Sequence, residues 1–138
     1  MKTNKFIIQI LLIVANFFFI FTSCYDYPVD DEGNLITSRE ECYMSSFNLL
    51  GTDNQSILVT VPTYSNGMID TINCTVSAVV KYGTSLKKVK PYCGIAPDVS
   101  VSPKMGVWED FSAPKQYTLT SGNRKIKKTY TVTITQQK

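Results

Sequence analysis

The last quarter of the chain alternates apolar and hydroxyl side chains with a period of two residues. Between residues 129 and 135, Tyr130, Val132 and Ile134 alternate with four threonines. This period places one set of side chains on each face of a β-strand. Residues 116–120 continue the pattern, and the intervening Ser-Gly-Asn is a turn signal. The pattern therefore predicts a terminal β-hairpin over residues 115–135, with its loop near 121–126.

Weaker signals of the same kind run through the rest of the chain. Residues 72–80 alternate over nine positions, and no run after Cys24 has helical spacing over three turns. Glycine, proline and asparagine breakers recur about every ten residues, as in β-sandwiches. The sequence predicts an all-β fold, a single antiparallel β-sandwich of about seven strands. The weaker strands are expected at 43–50, 56–61, 86–90 and 98–102.

The N-terminus has the order of a bacterial secretory signal. Two lysines precede an uncharged, mostly apolar stretch from Phe6 to Phe21, which ends in small residues. This stretch is shorter than the roughly 20 residues that span a bilayer as a helix. An ordinary cleaved signal and a retained helix are the alternatives to a lipoprotein signal.

The residues Phe-Thr-Ser-Cys at 21–24 resemble a lipobox, the processing site of bacterial lipoproteins. The resemblance implies that Cys24 is the first mature residue and carries the lipid. Two or more acyl chains anchor a protein stably to a membrane. The expected location is the outer membrane, on its periplasmic or cell-surface face.

The expected organisation is a signal peptide at 1–23, a lipidated Cys and flexible acidic tether at 24–40, and the β-sandwich at 41–138. Residues 24–70 hold eight acidic residues and one basic residue, whereas residues 71–138 hold eleven basic and three acidic residues. The basic half could bind an anionic partner such as a charged polysaccharide. Alternatively, its lysines are solvated and protect edge strands. Nucleic acid is not an expected partner of an exported protein.

The chain contains no histidine, which is the commonest general base and metal ligand. No catalytic, metal or cofactor site is therefore expected. Once Cys24 is lipidated, three cysteines remain, and these allow three pairings. Because Cys74 has the phase of a buried strand residue, the candidate disulfide is Cys42–Cys93.

Residues 83–134 resemble an immunoglobulin-like or cadherin-like module of unknown function that recurs in Bacteroidetes lipoproteins. The resemblance is carried by Gly-Thr-Ser-Leu-Lys-Lys-Val at 83–89, Val-Ser-Val-Ser-Pro at 99–103, Asp-Phe-Ser-Ala-Pro at 110–114 and the terminal hairpin. It implies an immunoglobulin-like sandwich. Phe111 is expected in the core, and Tyr117 and Tyr130 are expected to face it across the hairpin.

Trp108, the sole tryptophan, is followed by Glu109 and Asp110. An aromatic ring stacks on the CH face of a sugar, and carboxylates accept hydrogen bonds from sugar hydroxyls, so these three residues form a candidate glycan site. Alternatively, Trp108 caps the core. Asp70-Thr71-Ile72 resembles a Bacteroidetes O-glycosylation motif, which makes Thr71 a candidate acceptor.

These features together predict a non-enzymatic outer-membrane lipoprotein whose domain binds a glycan or another surface protein, with glycan binding favoured. The alternative is a structural or assembly module that pairs an edge strand with a partner.

Overall fold

The computed structural model describes residues 27–138, and β-strands are the only regular elements in this range. The strands form two sheets, one of β1 and β4 and one in the order β2-β3-β7-β6-β5. Seven strands in two sheets confirm the predicted β-sandwich. The strands are β1 (Met44–Leu50), β2 (Ile69–Asp70), β3 (Thr75–Val80), β4 (Lys90–Ile95), β5 (Ser100–Ser102), β6 (Lys115–Thr120) and β7 (Lys127–Gln136).

The predicted signal peptide and the lipidation site at Cys24 lie outside the described residues. From residue 27 onward, no helix is long and apolar enough to span a bilayer.

The terminal hairpin is confirmed. β6 and β7 pair antiparallel, and Tyr117 lies opposite Tyr130. Both tyrosines are fully buried, as the alternation predicts, because period-two side chains share one face of the sheet. On the other face, the hydroxyls of Thr118 and Thr129 lie 2.9 Å apart.

One strand pair departs from the antiparallel expectation. β3 runs parallel to β7, with Val76 opposite Val132 and Ala78 opposite Ile134. A parallel pair requires a crossover of about a dozen residues or more. Residues 81–126 supply it, because the chain leaves β3, forms β4 in the other sheet, and returns through β5 and β6.

Two predicted strands were misplaced. β4 spans 90–95 rather than 86–90, although it contains Pro91 and Gly94. The carbonyl of Pro91 accepts a bond from Gly106 N at 2.8 Å, so the side of Pro91 that lacks an N–H faces away from β1. Proline is tolerated in a strand at such a position. Residues 56–61 form only isolated bridges, Ser56 with Leu50 and Leu58 with Val80.

The alternation predicted from residue 72 begins only at Thr75. The Asp70 carboxylate accepts bonds from Ile72 N at 2.8 Å and Asn73 N at 2.9 Å. Aspartate favours turns by bonding the backbone two residues ahead. Cys74 then adopts a φ of 54°, so residues 71–74 form a turn.

Three aromatic rings join the two sheets. Phe111 packs on Phe47 of β1 at 6.3 Å between ring centroids and on Tyr117 of β6 at 6.5 Å. Phe111 is almost fully buried, as expected. Tyr130 adds a polar link, because its hydroxyl accepts a bond from Met44 N at 3.3 Å. Buried polar groups need hydrogen-bond partners, and this bond supplies one for Met44 N and for the Tyr130 hydroxyl. It therefore fixes the position of β1 over the larger sheet.

The candidate Cys42–Cys93 disulfide does not form, and among the described residues both thiols and that of Cys74 are free. Cys93 lies opposite Phe47, which follows Cys42 by five residues, or about 16 Å of extended chain. A disulfide joins Cα atoms less than about 7 Å apart. Instead, the Cys42 thiol donates to Leu119 O at 3.5 Å. Burial raises the pKa of the Cys93 thiol to about 11.

The described part of the predicted tether, residues 27–40, lies against the sandwich. Arg124, at the tip of the terminal hairpin, lies 3.0 Å from the Asp30 carboxylate and donates to Leu35 O at 3.0 Å. Thr37 N donates to Gly122 O at 2.9 Å. These bonds hold the segment beside β5. The proposed domain boundary at residue 41 remains a prediction.

Candidate functional site

Trp108 lies on a segment that extends the smaller sheet. Residues 106–111 run antiparallel to residues 86–91, which lead into β4 and form its first two residues. Reciprocal bonds of 2.8 and 3.0 Å join the backbones of Glu109 and Val89, and Phe111 N donates to Leu86 O at 2.9 Å. Phe111, buried in the core, anchors this segment. Trp108 is therefore held on a fixed backbone at the sheet edge.

The indole of Trp108 faces outward, with 41% of the residue exposed. The ammonium of Lys90 lies 4.4 Å from the ring centroid, and that of Lys88 lies 5.6 Å from it. Both distances fall within the range of about 6 Å in which a cation is attracted to an aromatic face. Trp108 thus lies on the surface among cations, and it does not cap the core.

Tyr92 extends this surface along β4. It lies two residues after Lys90, so both side chains point to the outer face of the strand, and Tyr92 is 43% exposed. Its ring lies beside Gly106, where a Cβ would meet the ring at 3.5 Å. Gly106 has a φ of 81°, a conformation that glycine adopts without strain. We call Lys88, Lys90, Tyr92 and Trp108 the Trp108 surface.

Glu109 does not join this surface. Its side chain is only 17% exposed, and its carboxylate accepts a bond from the Tyr117 hydroxyl at 3.2 Å. Lys115 lies 3.7 Å from the same oxygen. Burial, followed by the negative charge of Glu109, raises the pKa of Tyr117. Glu109 therefore points toward the sandwich, as strand alternation requires of a residue next to an outward Trp108.

The Asp110 side chain lies on the outer side, but its carboxylate is hydrogen-bonded within its own turn. Its carboxylate accepts a bond from Ser112 N at 2.8 Å. Hydrogen bonds from the Ser112 side chain and backbone lower the pKa of Asp110. The three predicted glycan-site residues therefore divide: Trp108 is exposed on the surface, Asp110 closes a turn, and Glu109 is turned inward.

Sequence reasoning missed Lys88, Lys90 and Tyr92 as site residues. Their period-two spacing was a usable signal, because it places all three on one face of an extended chain. Their proximity to Trp108 depends on the register between residues 89 and 109, which no local pattern reveals.

The candidate acceptor Thr71 lies in the turn before β3 and is half-buried. Its carbonyl accepts a bond from Lys128 Nζ at 3.4 Å. Modification of Thr71 remains a prediction.

A second exposed aromatic pair lies elsewhere on the sandwich. Tyr43 and Tyr64 meet edge to face at 6.4 Å between centroids. They border an open depression of about 410 Å³ that is also lined by Thr71 and Lys128. Within residues 27–138, no group of three acidic, cysteine or histidine side chains could hold a metal ion.

These features define a small β-sandwich that exposes aromatic side chains beside lysines. Residues 56–134, more than half of the chain, match the family described as SGBP, N-terminal. The chain belongs to this family, which groups glycan-binding surface proteins of Bacteroidetes. A comparison with curated proteins finds no match.

Two solved structures resemble this fold. A candidate glycoside hydrolase of Bacteroides thetaiotaomicron is 26% identical, with a TM-score of 0.58 over 71% of this chain. The match covers only 26% of that protein, so this chain corresponds to about a quarter of its length. A candidate secreted protein of Bacteroides fragilis is 19% identical, with a TM-score of 0.50 over 72% of this chain and 98% of the other. The second likeness shows the fold alone.

Proposed function

We propose that this protein is a non-catalytic, lipid-anchored glycan-binding protein of the outer membrane that binds its ligand at the Trp108 surface. The observation that carries the proposal is the outward Trp108 ring on a backbone fixed at the edge of β4. A ring held in place loses little conformational freedom when a ligand stacks on it. Membership in a family of glycan-binding proteins supports the same function.

The arrangement of the carboxylates supports binding rather than hydrolysis. A glycosidase places two carboxyl groups on either side of the scissile bond. Here Glu109 is engaged by Tyr117 on the inner side, while Asp110 bonds to Ser112 on the outer side. The two therefore face different environments and do not flank one ligand.

Pairing through an edge strand has less support. On the free edge of β1, Phe47 N donates to Pro62 O at 3.0 Å, and residues 106–109 cover the start of β4 as far as Pro91. The larger sheet ends in β2 and β5, which are two and three residues long. Short or covered edges offer few unpaired backbone groups to a partner strand.

A glycan array on the full chain tests the proposal, with Trp108→Ala as the key variant. We expect the variant to lose at least about tenfold in affinity for any glycan that the parent binds, because a stacking anchor carries much of the energy of such a contact. Tyr82→Ala is the matched control, since Tyr82 is 81% exposed and lies in the turn after β3.

Tyr64→Ala separates the two aromatic surfaces. If Tyr64→Ala abolishes binding and Trp108→Ala does not, the glycan binds at the tyrosine pair and the proposed site is wrong. If the parent binds no glycan, the proposed function is wrong. Melting temperatures of all variants show whether a loss of binding reflects a loss of fold.

A further inference from the structure

We infer that the glycan bound at the Trp108 surface is anionic, a polysaccharide that carries carboxylate or sulfate groups. This inference rests on the proposed function and narrows it to a ligand class.

The first support is that two ammonium groups converge on one ring. Lys90 and Lys88 lie 4.4 and 5.6 Å from the Trp108 centroid. Within residues 27–138, neither lysine takes part in an ion pair; the pairs that form there are Arg39–Asp98, Lys115–Glu109 and Arg124–Asp30. Among these residues, no carboxylate therefore lies within salt-bridge distance of either ammonium, and the two positive charges repel each other. An anion between them would relieve that repulsion.

The second support is the orientation of the nearby acids. Glu109 turns its carboxylate away from Trp108 and toward Tyr117 and Lys115. Asp110, the remaining acid of this segment, is bonded to Ser112 N. In the described part of the chain, the polar side-chain partner of the Lys90 ammonium is the neutral Asn54 amide oxygen, at 3.4 Å. Asp53 lines a depression beside Lys88, but the two charged groups that contact the indole are both ammonium groups. The family match names no charge for the ligand.

The third support is that the lysines can release the ring. A lysine side chain is a flexible stem with a strongly hydrated ammonium, and cation–π contacts at exposed sites are weak. A sugar ring could stack on the indole while Lys88 and Lys90 turn to its carboxylate or sulfate. Aromatic stacking would then select the sugar ring, and the lysines would select its charge.

Paired polymers test the charge preference directly. Isothermal titration of the full chain would compare polygalacturonate with its methyl ester, and dextran sulfate with dextran. We expect the charged member of at least one pair to bind about tenfold or more tightly, and this preference to decrease as salt is raised toward 0.5 M, because exposed charges are screened. Polygalacturonate reports a carboxylate ligand, and dextran sulfate reports a sulfated one.

The double variant Lys88→Gln/Lys90→Gln should weaken the charged polymer by about tenfold, as expected for the loss of two exposed ion pairs. It should weaken the neutral member less than the charged one, so that the ratio of the two affinities falls toward one. The control double variant Lys125→Gln/Lys127→Gln removes the same charge from the exposed hairpin tip. It should change the binding of neither the charged nor the neutral polymer. If both double variants weaken binding equally, the attraction is non-specific and the inference is wrong.

The remaining outcomes distinguish this inference from the proposed function. Equal binding of charged and neutral polymers, lost in Trp108→Ala, refutes the anionic preference and leaves glycan binding in place. Binding of no polymer refutes both. Vesicles of phosphatidylglycerol provide the last arm: if they bind through Lys88 and Lys90 while the polymers do not, the surface recognises lipid headgroups and the inference fails.

Discussion

Removing the Tyr117 hydroxyl tests whether Glu109 has a structural role in the sandwich. In Tyr117→Phe, Glu109 loses a hydrogen bond of 3.2 Å and keeps the ion pair with Lys115, 3.7 Å away. A hydrogen bond to a charged group contributes about 1.5–3 kcal/mol. This bond is long for a hydroxyl donor, and the Glu109 side chain is 17% exposed, so water replaces part of it. We therefore expect a loss of about 1 kcal/mol in the free energy of unfolding.

Urea unfolding followed by circular dichroism would measure this change in free energy. A thermal scan should show a melting temperature lower by about 4 °C. Tyr82→Phe is the control, because its exposed hydroxyl should contribute nothing measurable. A double-mutant cycle with Glu109→Ala should give a coupling energy of about 1 kcal/mol. If Tyr117→Phe behaves like the control, or the coupling is absent, Glu109 is not engaged by Tyr117. The assignment of Glu109 to the interior would then be wrong.

Three further predictions concern the rest of the molecule. Cys24→Ser should abolish incorporation of an alkyne-labelled fatty acid and release the protein from the membrane fraction; labelling that persists would contradict the lipidation site. Arg124→Ala should raise the hydrogen-exchange rate of the Thr37 amide by about tenfold, because its segment loses its main side-chain contact; unchanged exchange would show that Arg124 does not hold it. Burial raises the pKa of Tyr117 and Tyr130 above the usual 10. Their contribution to stability is therefore complete below pH 10 and is lost as the pH rises further, and unfolding midpoints unchanged between pH 9 and 11.5 would contradict this.

The hairpin was predictable because its burial pattern is local. The alternation at Tyr130, Val132 and Ile134 requires only that one face of the strand is buried, whichever strands lie beside it. The same reasoning failed before Thr75, where a single Asp70 carboxylate stabilises a turn that competes with the strand. The reasoning failed again at β4, where the predicted strand ends before Pro91. Proline is excluded from a strand only when its nitrogen faces a neighbouring strand that needs a donor.

The candidate site was predictable only in part. Trp108 was identifiable as a sole tryptophan in a segment rich in breakers. Glu109 and Asp110 were grouped with it because they are adjacent in sequence, but adjacent residues of an extended chain point in opposite directions. Lys88 and Lys90 reach Trp108 only because residues 89 and 109 pair across the sheet edge.

The sequence by itself determined the all-β class, the terminal hairpin and the burial of Tyr117, because each follows from period and side-chain polarity within a short window. The tertiary structure alone decided the parallel pairing of β3 with β7 and the free state of the cysteines. It also decided which charges surround Trp108. These properties depend on contacts between residues far apart in the chain, and the register that creates them is set by packing of the whole core.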